Sequence, residues 1–289
     1  MNGKRQSSQR PRVLVTCAAG MLGQAVVERL QAVADVVPFT RRDADLTDAA
    51  ATIDAILQAA PAIVVHCAAW TDVDGCEADP DRAFRENGLA ARNVGIAVQR
   101  LDGALCYIST DYVFDGSKKS PYREYDATAP LAVYGHSKRW GEEAVQALVR
   151  KHWIVRTSWL FGPGGKNFVQ TMSGLLQARS NVRVVDDQRG SPTYTGHLAQ
   201  ALTHLLQTSL YGTYHISNSG NCTWFELTQR LAESIGSTCQ VSACTTKEFP
   251  RPASRPENSV LDDFAWRSSG FEALHCWQDA LYTYAETLR

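Results

Sequence analysis

A tyrosine and a lysine four residues apart could carry out proton chemistry near the middle of this sequence. Tyr134 and Lys138 lie in the segment VYGHSKRWGE, whose pattern predicts a helix, and residues so spaced share one helical face. An ammonium group beside a phenol favours the phenolate, so Lys138 is expected to lower the pKa of Tyr134 towards neutrality. Such a pair could protonate a carbonyl oxygen during reduction. The Tyr-x-x-x-Lys pattern is common by chance, so its interpretation depends on the surrounding sequence.

A hydroxyl group is expected close to this pair. The run from Ala104 to Ser109 predicts a strand that ends in Ser109, Thr110 and Asp111, and a long segment leads from there to Tyr134. A long loop inside a compact domain is typical of a functional region. Either hydroxyl could bind the same carbonyl oxygen as the phenol. The combination predicts a catalytic group for ketone reduction.

A glycine-rich turn predicts a dinucleotide site. The stretch TCAAGMLG at residues 16–23 lies between the first predicted strand and the first predicted helix. Gly20 would let a phosphate approach the helix N-terminus, and Gly23 would allow close packing of the helix on the sheet. Cys17 replaces the usual first glycine, which is acceptable if its φ is negative and costs energy otherwise.

Two arginines favour NADP as the cofactor. Arg41 and Arg42 directly follow the second predicted strand, where NAD sites place a carboxylate and NADP sites use arginine to accept the 2′-phosphate. A solvated charged turn is the alternative interpretation of the same residues. Asp45 and Leu46 follow at a place where they could flank the adenine.

The elements that must position these residues alternate between strands and helices. Short β-branched runs are separated by segments of helical period, which predicts right-handed crossovers and a parallel, doubly wound sheet. We therefore predict an α/β protein with a Rossmann-type sheet and a smaller, mixed α/β C-terminal substrate lobe. The predicted cofactor domain covers residues 11–160 with a return segment near 191–217, and the lobe covers 161–190 and 218–289.

Composition excludes several classes of protein. The 289 residues are 44% hydrophobic and 20% charged with a net charge of −1, unlike a disordered chain or a protein that binds nucleic acid through bulk charge. No run of 18 apolar residues could span a membrane. The basic residues Lys4, Arg5 and Arg10 precede no apolar region, so we predict a frayed N-terminus and not a signal peptide.

Eight cysteines show no Cys-x-x-Cys pair and no zinc-ligand spacing. We predict free thiols in a cytoplasmic protein, with no metal site.

The sequence resembles the extended short-chain dehydrogenase/reductases, and among them the rhamnose-pathway reductases. The resemblance spans Arg12 to about Leu281 and is carried by five stretches: ISTDYVFDG at 108–116, VYGHSKRWGE at 133–142, RTSWLFGPGGKNFV at 156–169, VVDDQRGSPTY at 184–194 and RPASRPENSVL at 251–261. The last two are the more particular to the rhamnose-pathway members. The resemblance implies NADPH-dependent (or NADH-dependent) reduction of the C4 ketone of dTDP-4-dehydro-L-rhamnose to dTDP-L-rhamnose.

The family's residue roles transfer to matching positions in this sequence. The resemblance implies a catalytic group of Thr110, Tyr134 and Lys138. It implies a cofactor site formed by Gly20, Met21, Leu22, Gly23, Asp45, Leu46, Ala68, Ala69, Tyr134 and Lys138, to which the arginine pair Arg41 and Arg42 is added. The implied substrate site comprises Thr71, Val73, Asp111, Tyr112 and Trp159, with Asn167, Arg189 and Arg255 as candidates for the nucleotide diphosphate.

Two other functions stay open. One is an extended-family reductase, epimerase or dehydratase acting on a different nucleotide-linked 4-keto sugar. The other is a regulatory subunit that binds NADP without turnover, although the intact Thr110, Tyr134 and Lys138 disfavour it. The expected partner is a small sugar nucleotide, without nucleic acid or membrane. The oligomeric state is open, with a homodimer as one option.

Overall fold

The computed structural model describes residues 10–288, so Lys4 and Arg5 of the basic N-terminus lie outside the described residues. The strands in chain order are β1 (Arg12–Thr16), β2 (Asp35–Phe39), β3 (Ile63–His66), β4 (Ala104–Thr110), β5 (His152–Thr157), β6 (Leu160–Phe161), β7 (Asn181–Val185), β8 (Arg189–Gly190), β9 (Thr193–Tyr194), β10 (Gly212–His215), β11 (Asn218–Ser219), β12 (Cys222–Thr223), β13 (Gln240–Cys244) and β14 (Leu274–Cys276).

The α-helices follow the strands in alternation through the first half of the chain. They are α1 (Met21–Leu30), α2 (Ala49–Ala59), α3 (Val73–Ala78), α4 (Pro80–Ala83), α5 (Ala90–Arg100), α6 (Val133–Leu148), α7 (Phe168–Ala178), α8 (Thr195–Leu205), α9 (Trp224–Ile235), α10 (Phe264–Ser268) and α11 (Trp277–Ala285). A π-helix covers Phe84–Leu89, and short 3-10 helices cover Asp111–Val113, Thr246–Glu248 and Glu286–Leu288.

A six-stranded parallel sheet organises the molecule, in the order β10-β5-β4-β3-β1-β2. The strand order reverses direction between β1 and β3, and ligands of such sheets bind at this switch point beyond the carboxyl ends of the strands. The predicted α/β, doubly wound fold is confirmed.

Hydrophobic layers cover both faces of the sheet. Side chains alternate along β1, so that Val13 and Val15 face one layer with α1 and α8, while Leu14 faces the other with α2 and α5. Strand β4 is buried along its whole length, as expected for a central parallel strand. These layers hold the carboxyl ends of β1, β3 and β4 rigidly at one edge.

A separate hydrophobic cluster lies in the C-terminal part of the chain. It is built on α7, α9 and α11 with the β7–β13 pair, and includes Phe161, Val169, Leu227 and Trp277. Strand β10 instead returns to the large sheet beside β5, and α8 packs with it. The predicted boundaries at residues 160, 190 and 217 stay a prediction.

The helical pattern that follows Asp79 and Pro80 predicts one helix to about Gln99, and the structure divides this segment into α4, the π-helix and α5. Apolar periodicity does not predict a π-turn, and this one contains the buried Asn87 described below. Within residues 10–288, the helices are too short or too polar to cross a membrane.

Candidate active site

Two joined cavities open along the carboxyl edge of the sheet. The first cavity has a volume of about 700 Å³ and the second of about 500 Å³, and both are lined by Cys17, Gly20 and Ala69. These volumes suit small-molecule ligands. Every predicted cofactor residue lines one or both cavities. The second cavity also contains Thr110, Tyr134 and Lys138, together with the substrate candidates Thr71, Val73, Asp111, Tyr112 and Trp159.

The glycine-rich turn forms the floor between the cavities. The amide of Gly20 donates to the carbonyl oxygen of Cys17 at 2.8 Å, and Gly20 is the N-cap of α1. A Cβ added at Gly23 would overlap the carbonyl oxygen of Cys17. Only glycine therefore allows the first turn of α1 to lie against this loop and present its free amides to an anion.

Cys17 adopts a strained backbone conformation. Its φ is +52°, in the left-handed region, and its side chain is exposed where the two cavities meet. A cysteine at this position avoids backbone strain only if its φ is negative, and the φ of Cys17 is positive. The replacement of the usual glycine therefore costs conformational energy.

Replacing Cys17 by glycine should stabilise the protein by about 1 kcal/mol, because glycine adopts positive φ without the clash of a Cβ. Urea unfolding curves of the two proteins would measure the difference. The matched control is Ala18→Gly, at a neighbouring residue whose φ lies outside the left-handed region, where glycine should destabilise. A urea midpoint of unfolding for Cys17→Gly that is equal to or below that of the wild type would show that Cys17 is not strained.

The far end of the first cavity carries positive charge. Arg41 and Arg42 line it after β2, opposite Asp45 and Leu46. Arg41 is mostly exposed and pairs with Glu86 at 3.2 Å across the cavity mouth. The backbone of this loop is shaped by side-chain hydrogen bonds, such as those from the Thr40 amide and hydroxyl to Asp43. Both guanidinium groups line this end of the cavity, and Arg41 would exchange Glu86 for a phosphate bound there.

The catalytic candidates converge from β4 and α6. A Cβ at Gly135 would overlap the carbonyl oxygen of Tyr112, so glycine lets the start of α6 approach the end of β4. The rings of Tyr112 and Tyr134 then meet edge to face at 5.9 Å. Lys138 is buried, donates to the carbonyl oxygen of Ile108 at 2.7 Å and lies 4.1 Å from the centre of the Tyr107 ring.

Burial controls the ionisation of these groups. It raises the pKa of the Tyr134 phenol. A hydrogen bond with the Thr110 hydroxyl offsets part of this rise. This differs from the lowering expected from Lys138, whose ammonium is bonded to Ile108. A phenol that stays protonated at neutral pH suits a proton donor. Burial lowers the pKa of Lys138 to about 7, and Glu142 and Cys67 raise it in part.

Asp111 is a buried acid beside this group. Burial raises the pKa of Asp111 to about 6. Hydrogen bonds from Ser259, Ser158 and Thr110 have the opposite, smaller effect. Its carboxylate accepts from Ser158 Oγ at 3.0 Å and from Thr110 Oγ1 at 3.1 Å. Asp111 therefore fixes the orientation of the Thr110 hydroxyl within the second cavity.

Asn87 connects two walls of the site, and sequence reasoning missed it. From the centre of the π-helix, its Oδ1 accepts from the Trp70 amide at 2.7 Å and its Nδ2 donates to the Trp70 carbonyl at 3.1 Å. Nδ2 also donates to Ser137 Oγ at 2.9 Å, and Ser137 donates to the Tyr134 carbonyl. Asn87 thus links the segment before Thr71 to the helix that carries Tyr134.

Aromatic rings form the outer wall of the second cavity. The rings of Trp159 and Trp224 stack at 3.4 Å with an angle of 6°, and Phe168 lies 4.3 Å from Trp224. Trp159 has a φ of +48°, a strained conformation of the kind found at binding sites. Trp224 and Phe168 were not predicted, because α7 and α9 bring them to the site from distant parts of the chain.

Ser158 and Lys166 also line this cavity without having been predicted. Ser158 directly follows β5, so the rule that sites lie at the carboxyl ends of parallel strands could have found it. Lys166 follows two glycines in a segment that the sequence already singled out.

Three predicted diphosphate residues do not line either cavity. Asn167 caps α7 and donates to the carbonyl oxygens of Gly162 and Gly165, so its amide shapes the loop instead. Arg189 pairs with Glu226 at 3.3 Å, and Arg255 pairs with Asp74 at 3.1 Å. Because internal partners occupy these groups, their binding of a diphosphate stays a prediction.

Metal ligands are not grouped in the part of the chain that the structure describes: no set of three or more His, Cys, Asp or Glu could hold an ion there. All eight cysteines are free.

A doubly wound sheet with a glycine-rich first turn and a Thr-Tyr-Lys group at its carboxyl edge defines a short-chain dehydrogenase/reductase. The chain belongs to the family described as RmlD substrate binding domain, whose model matches residues 11–289.

Known relatives agree with this membership. The chain is 43% identical to a dTDP-4-dehydrorhamnose reductase of Streptomyces griseus, over 94% of this chain and 92% of the relative. It is 38% identical to a dTDP-4-keto-6-deoxy-D-glucose reductase of Streptomyces niveus, over 93% and 95% of the two chains. The crystal structure of a dTDP-4-dehydrorhamnose reductase from Bacillus anthracis in complex with NADP is similar with a TM-score of 0.94 and 40% identity, covering 96% of this chain and 100% of that chain.

Proposed function

We propose that the protein reduces the C4 ketone of dTDP-4-dehydro-L-rhamnose to dTDP-L-rhamnose with NADPH. The observation that carries the proposal is the convergence of Thr110, Tyr134 and Lys138 in a cavity that adjoins, and shares Cys17, Gly20 and Ala69 with, the cavity lined by the two arginines. Relatives at 35–43% identity that are named for this reaction support the substrate.

The residues of the first cavity fit a dinucleotide. Glycine at position 23 lets the first turn of α1 pack against the backbone of Cys17 at the junction of the two cavities, and the free amides of a helix N-terminus attract phosphate. Gly20 to Gly23 would hold the pyrophosphate, Asp45 and Leu46 the adenosine, and Arg41 and Arg42 the 2′-phosphate. When bound, NADPH supplies the hydride for the ketone.

The protein's own residues handle the proton and the carbonyl oxygen. Tyr134, protonated because burial raises the pKa of its phenol, donates the proton to the oxygen. The charged Lys138 stabilises the phenolate that forms. Asp111 accepts the hydrogen bond of the Thr110 hydroxyl in the structure, so Thr110 donates to the ketone oxygen only when its single hydrogen turns away from Asp111. Trp159 and Trp224 offer flat faces to the ligand and exclude water.

The double substitution Arg41→Ala/Arg42→Ala should weaken NADPH binding by about tenfold or more, because charge-assisted bonds to the 2′-phosphate are lost. NADH binding should change little, since NADH has no such phosphate. Titrations of both cofactors by nicotinamide fluorescence measure the two affinities. The control is Arg179→Ala, in the C-terminal part of the chain, which should alter neither. Equal losses for both cofactors would refute the assignment of the arginines.

Incubation with NADPH and a panel of dTDP-linked 4-keto sugars tests the function. Loss of nicotinamide absorbance with dTDP-4-dehydro-L-rhamnose, and formation of dTDP-L-rhamnose, are expected. Faster reduction of dTDP-4-keto-6-deoxy-D-glucose would favour the second candidate function, which the relative from Streptomyces niveus suggests. An epimerase would show no net oxidation of NADPH, and a regulatory subunit would bind NADPH without turnover.

A cytoplasmic location and a homodimer belong to the same proposal. The free state of all eight cysteines supports a reducing compartment. Light scattering of the purified protein would measure its mass in solution, and a monomer would contradict the homodimer.

A further inference from the structure

A buried carboxylate lies one helical turn beyond Lys138. Glu142 is completely buried in α6, four residues after Lys138 and therefore on the same face of the helix. Its two oxygens accept from Arg156 at 2.9 and 2.8 Å in a bidentate ion pair. A charge without solvent is costly unless it is paired in this way. Arg139, the residue after Lys138, also approaches this carboxylate at 3.6 Å. Two arginines therefore hold Glu142, whose carboxylate lies on the same face of α6 as Lys138.

Four further groups around Lys138 are neutral at pH 7. They are His66 at the end of β3, Cys67 after it, Tyr107 on β4 and Tyr134 on α6. Burial lowers the pKa of His66 to about 3 and raises the pKa of Cys67, Tyr107 and Tyr134. Among these neighbours and Glu142, the glutamate supplies the negative charge. Its charge is one of the causes that raise the pKa of Lys138.

Arg156 is held in place independently of Glu142. It lies on β5, 5.3 Å from the centre of the Phe114 ring, and donates to the Glu124 carbonyl at 3.4 Å. Its guanidinium also lies 3.5 Å from His215 Nε2. Both partners of His215 Nδ1 are carbonyl oxygens, so that nitrogen carries the proton and Nε2 accepts from Arg156. Burial lowers the pKa of His215 to about 3, which keeps this acceptor neutral.

We infer that Glu142, oriented by Arg156, is a positioning residue that keeps Lys138 in its charged ammonium form during the reaction. This inference rests on the proposed function, in which the ammonium stabilises the Tyr134 phenolate. An ion pair in the core is a weak source of stability compared with apolar packing. An electrostatic role towards the neighbouring lysine gives a reason for burying two charges in α6 and β5.

The pH dependence of kcat/KM for ketone reduction tests the inference. In the wild type, the rate should fall as the pH rises through the pKa of Lys138, because neutral lysine no longer stabilises the phenolate. Glu142→Gln removes the negative charge and leaves Arg156 as a nearby cation. Both changes disfavour the ammonium form of Lys138. The alkaline limb of the pH profile, where kcat/KM falls as the pH rises, should therefore move about one pH unit lower. On the alkaline limb, kcat/KM should then be about tenfold below that of the wild type.

Two further variants separate charge from structure. Glu142→Asp keeps the charge and should return the limb most of the way to its wild-type position. The double variant Glu142→Gln/Arg156→Met removes both charges, so its limb should lie between those of Glu142→Gln and the wild type. It also protects the test if Glu142→Gln does not fold, because Arg156 is no longer left as a lone charge and Arg139, the other arginine beside position 142, still pairs with Glu143.

The control is Glu233→Gln, an exposed glutamate on α9 that pairs with Arg230; its alkaline limb should not move. A wild-type limb position in Glu142→Gln, or in the double variant if the single variant is unfolded, would overturn the inference. A wild type without any reduction would instead refute the proposed function, so the two failures are distinguishable.

Discussion

Tyr134→Phe should reduce kcat for ketone reduction by roughly 10²–10⁴-fold, because the variant keeps the ring and loses the proton donor. The tyrosine is partly buried at the junction of β4 and α6, where it lines the second cavity and its ring meets that of Tyr112. NADPH affinity should change little, since most predicted contacts to the cofactor lie on the glycine-rich turn and the arginine loop. Steady-state kinetics and a fluorescence titration of NADPH measure the two effects.

The control for this substitution is Tyr282→Phe, which removes the same hydroxyl from a half-exposed tyrosine on α11. It should leave kcat unchanged. Undiminished turnover by Tyr134→Phe would remove the tyrosine from the mechanism. A loss of NADPH binding equal to the loss of kcat would assign the phenol to cofactor binding instead.

Gly23→Ala should disrupt the cofactor site through a single methyl group. The new Cβ would overlap the carbonyl oxygen of Cys17, which belongs to rigid backbone and cannot move aside as a side chain could. Overpacking of this kind costs about 1–3 kcal/mol in the free energy of unfolding. The start of α1 must shift away from the turn, so NADPH binding should weaken by about tenfold or more. Urea unfolding and an NADPH titration measure these changes.

Gly174→Ala is the matched control, because it adds the same methyl group to another helix where the structure has open space around it. Alanine has the higher helix propensity, so this variant should be about 0.5–1 kcal/mol more stable than the wild type. Unchanged stability and cofactor affinity in Gly23→Ala would show that the turn tolerates a side chain.

Much of the cofactor site was predictable, because it follows from local rules. The alternation of strands and helices determines that the first turn and the segments after β2, β3 and β4 share one edge of a parallel sheet. Residues as far apart as Gly20, Arg41 and Ala69 therefore line one cavity as predicted. Tyr134 and Lys138 needed only helical spacing to reach the adjoining cavity.

The substrate side was less predictable, because its walls come from contacts between distant segments. Asn167, Arg189 and Arg255 carry suitable groups, but ion pairs and a helix cap engage them away from the cavities. Trp224 enters the site only because α9 packs beside α7.

By itself, the sequence determined the doubly wound fold, the position of the glycine-rich turn and the placing of Tyr134 and Lys138 on one helix, since each depends on short-range spacing. Only the tertiary structure decided their ionisation. Burial keeps the Tyr134 phenol protonated and lowers the pKa of Lys138, while Arg156 on β5 holds Glu142 against this helix. The tertiary structure also revealed that Cys17 has a positive φ, which residue type alone does not specify. Desolvation and long-range ion pairs are properties of the packed molecule, because they depend on which segments exclude water from one another.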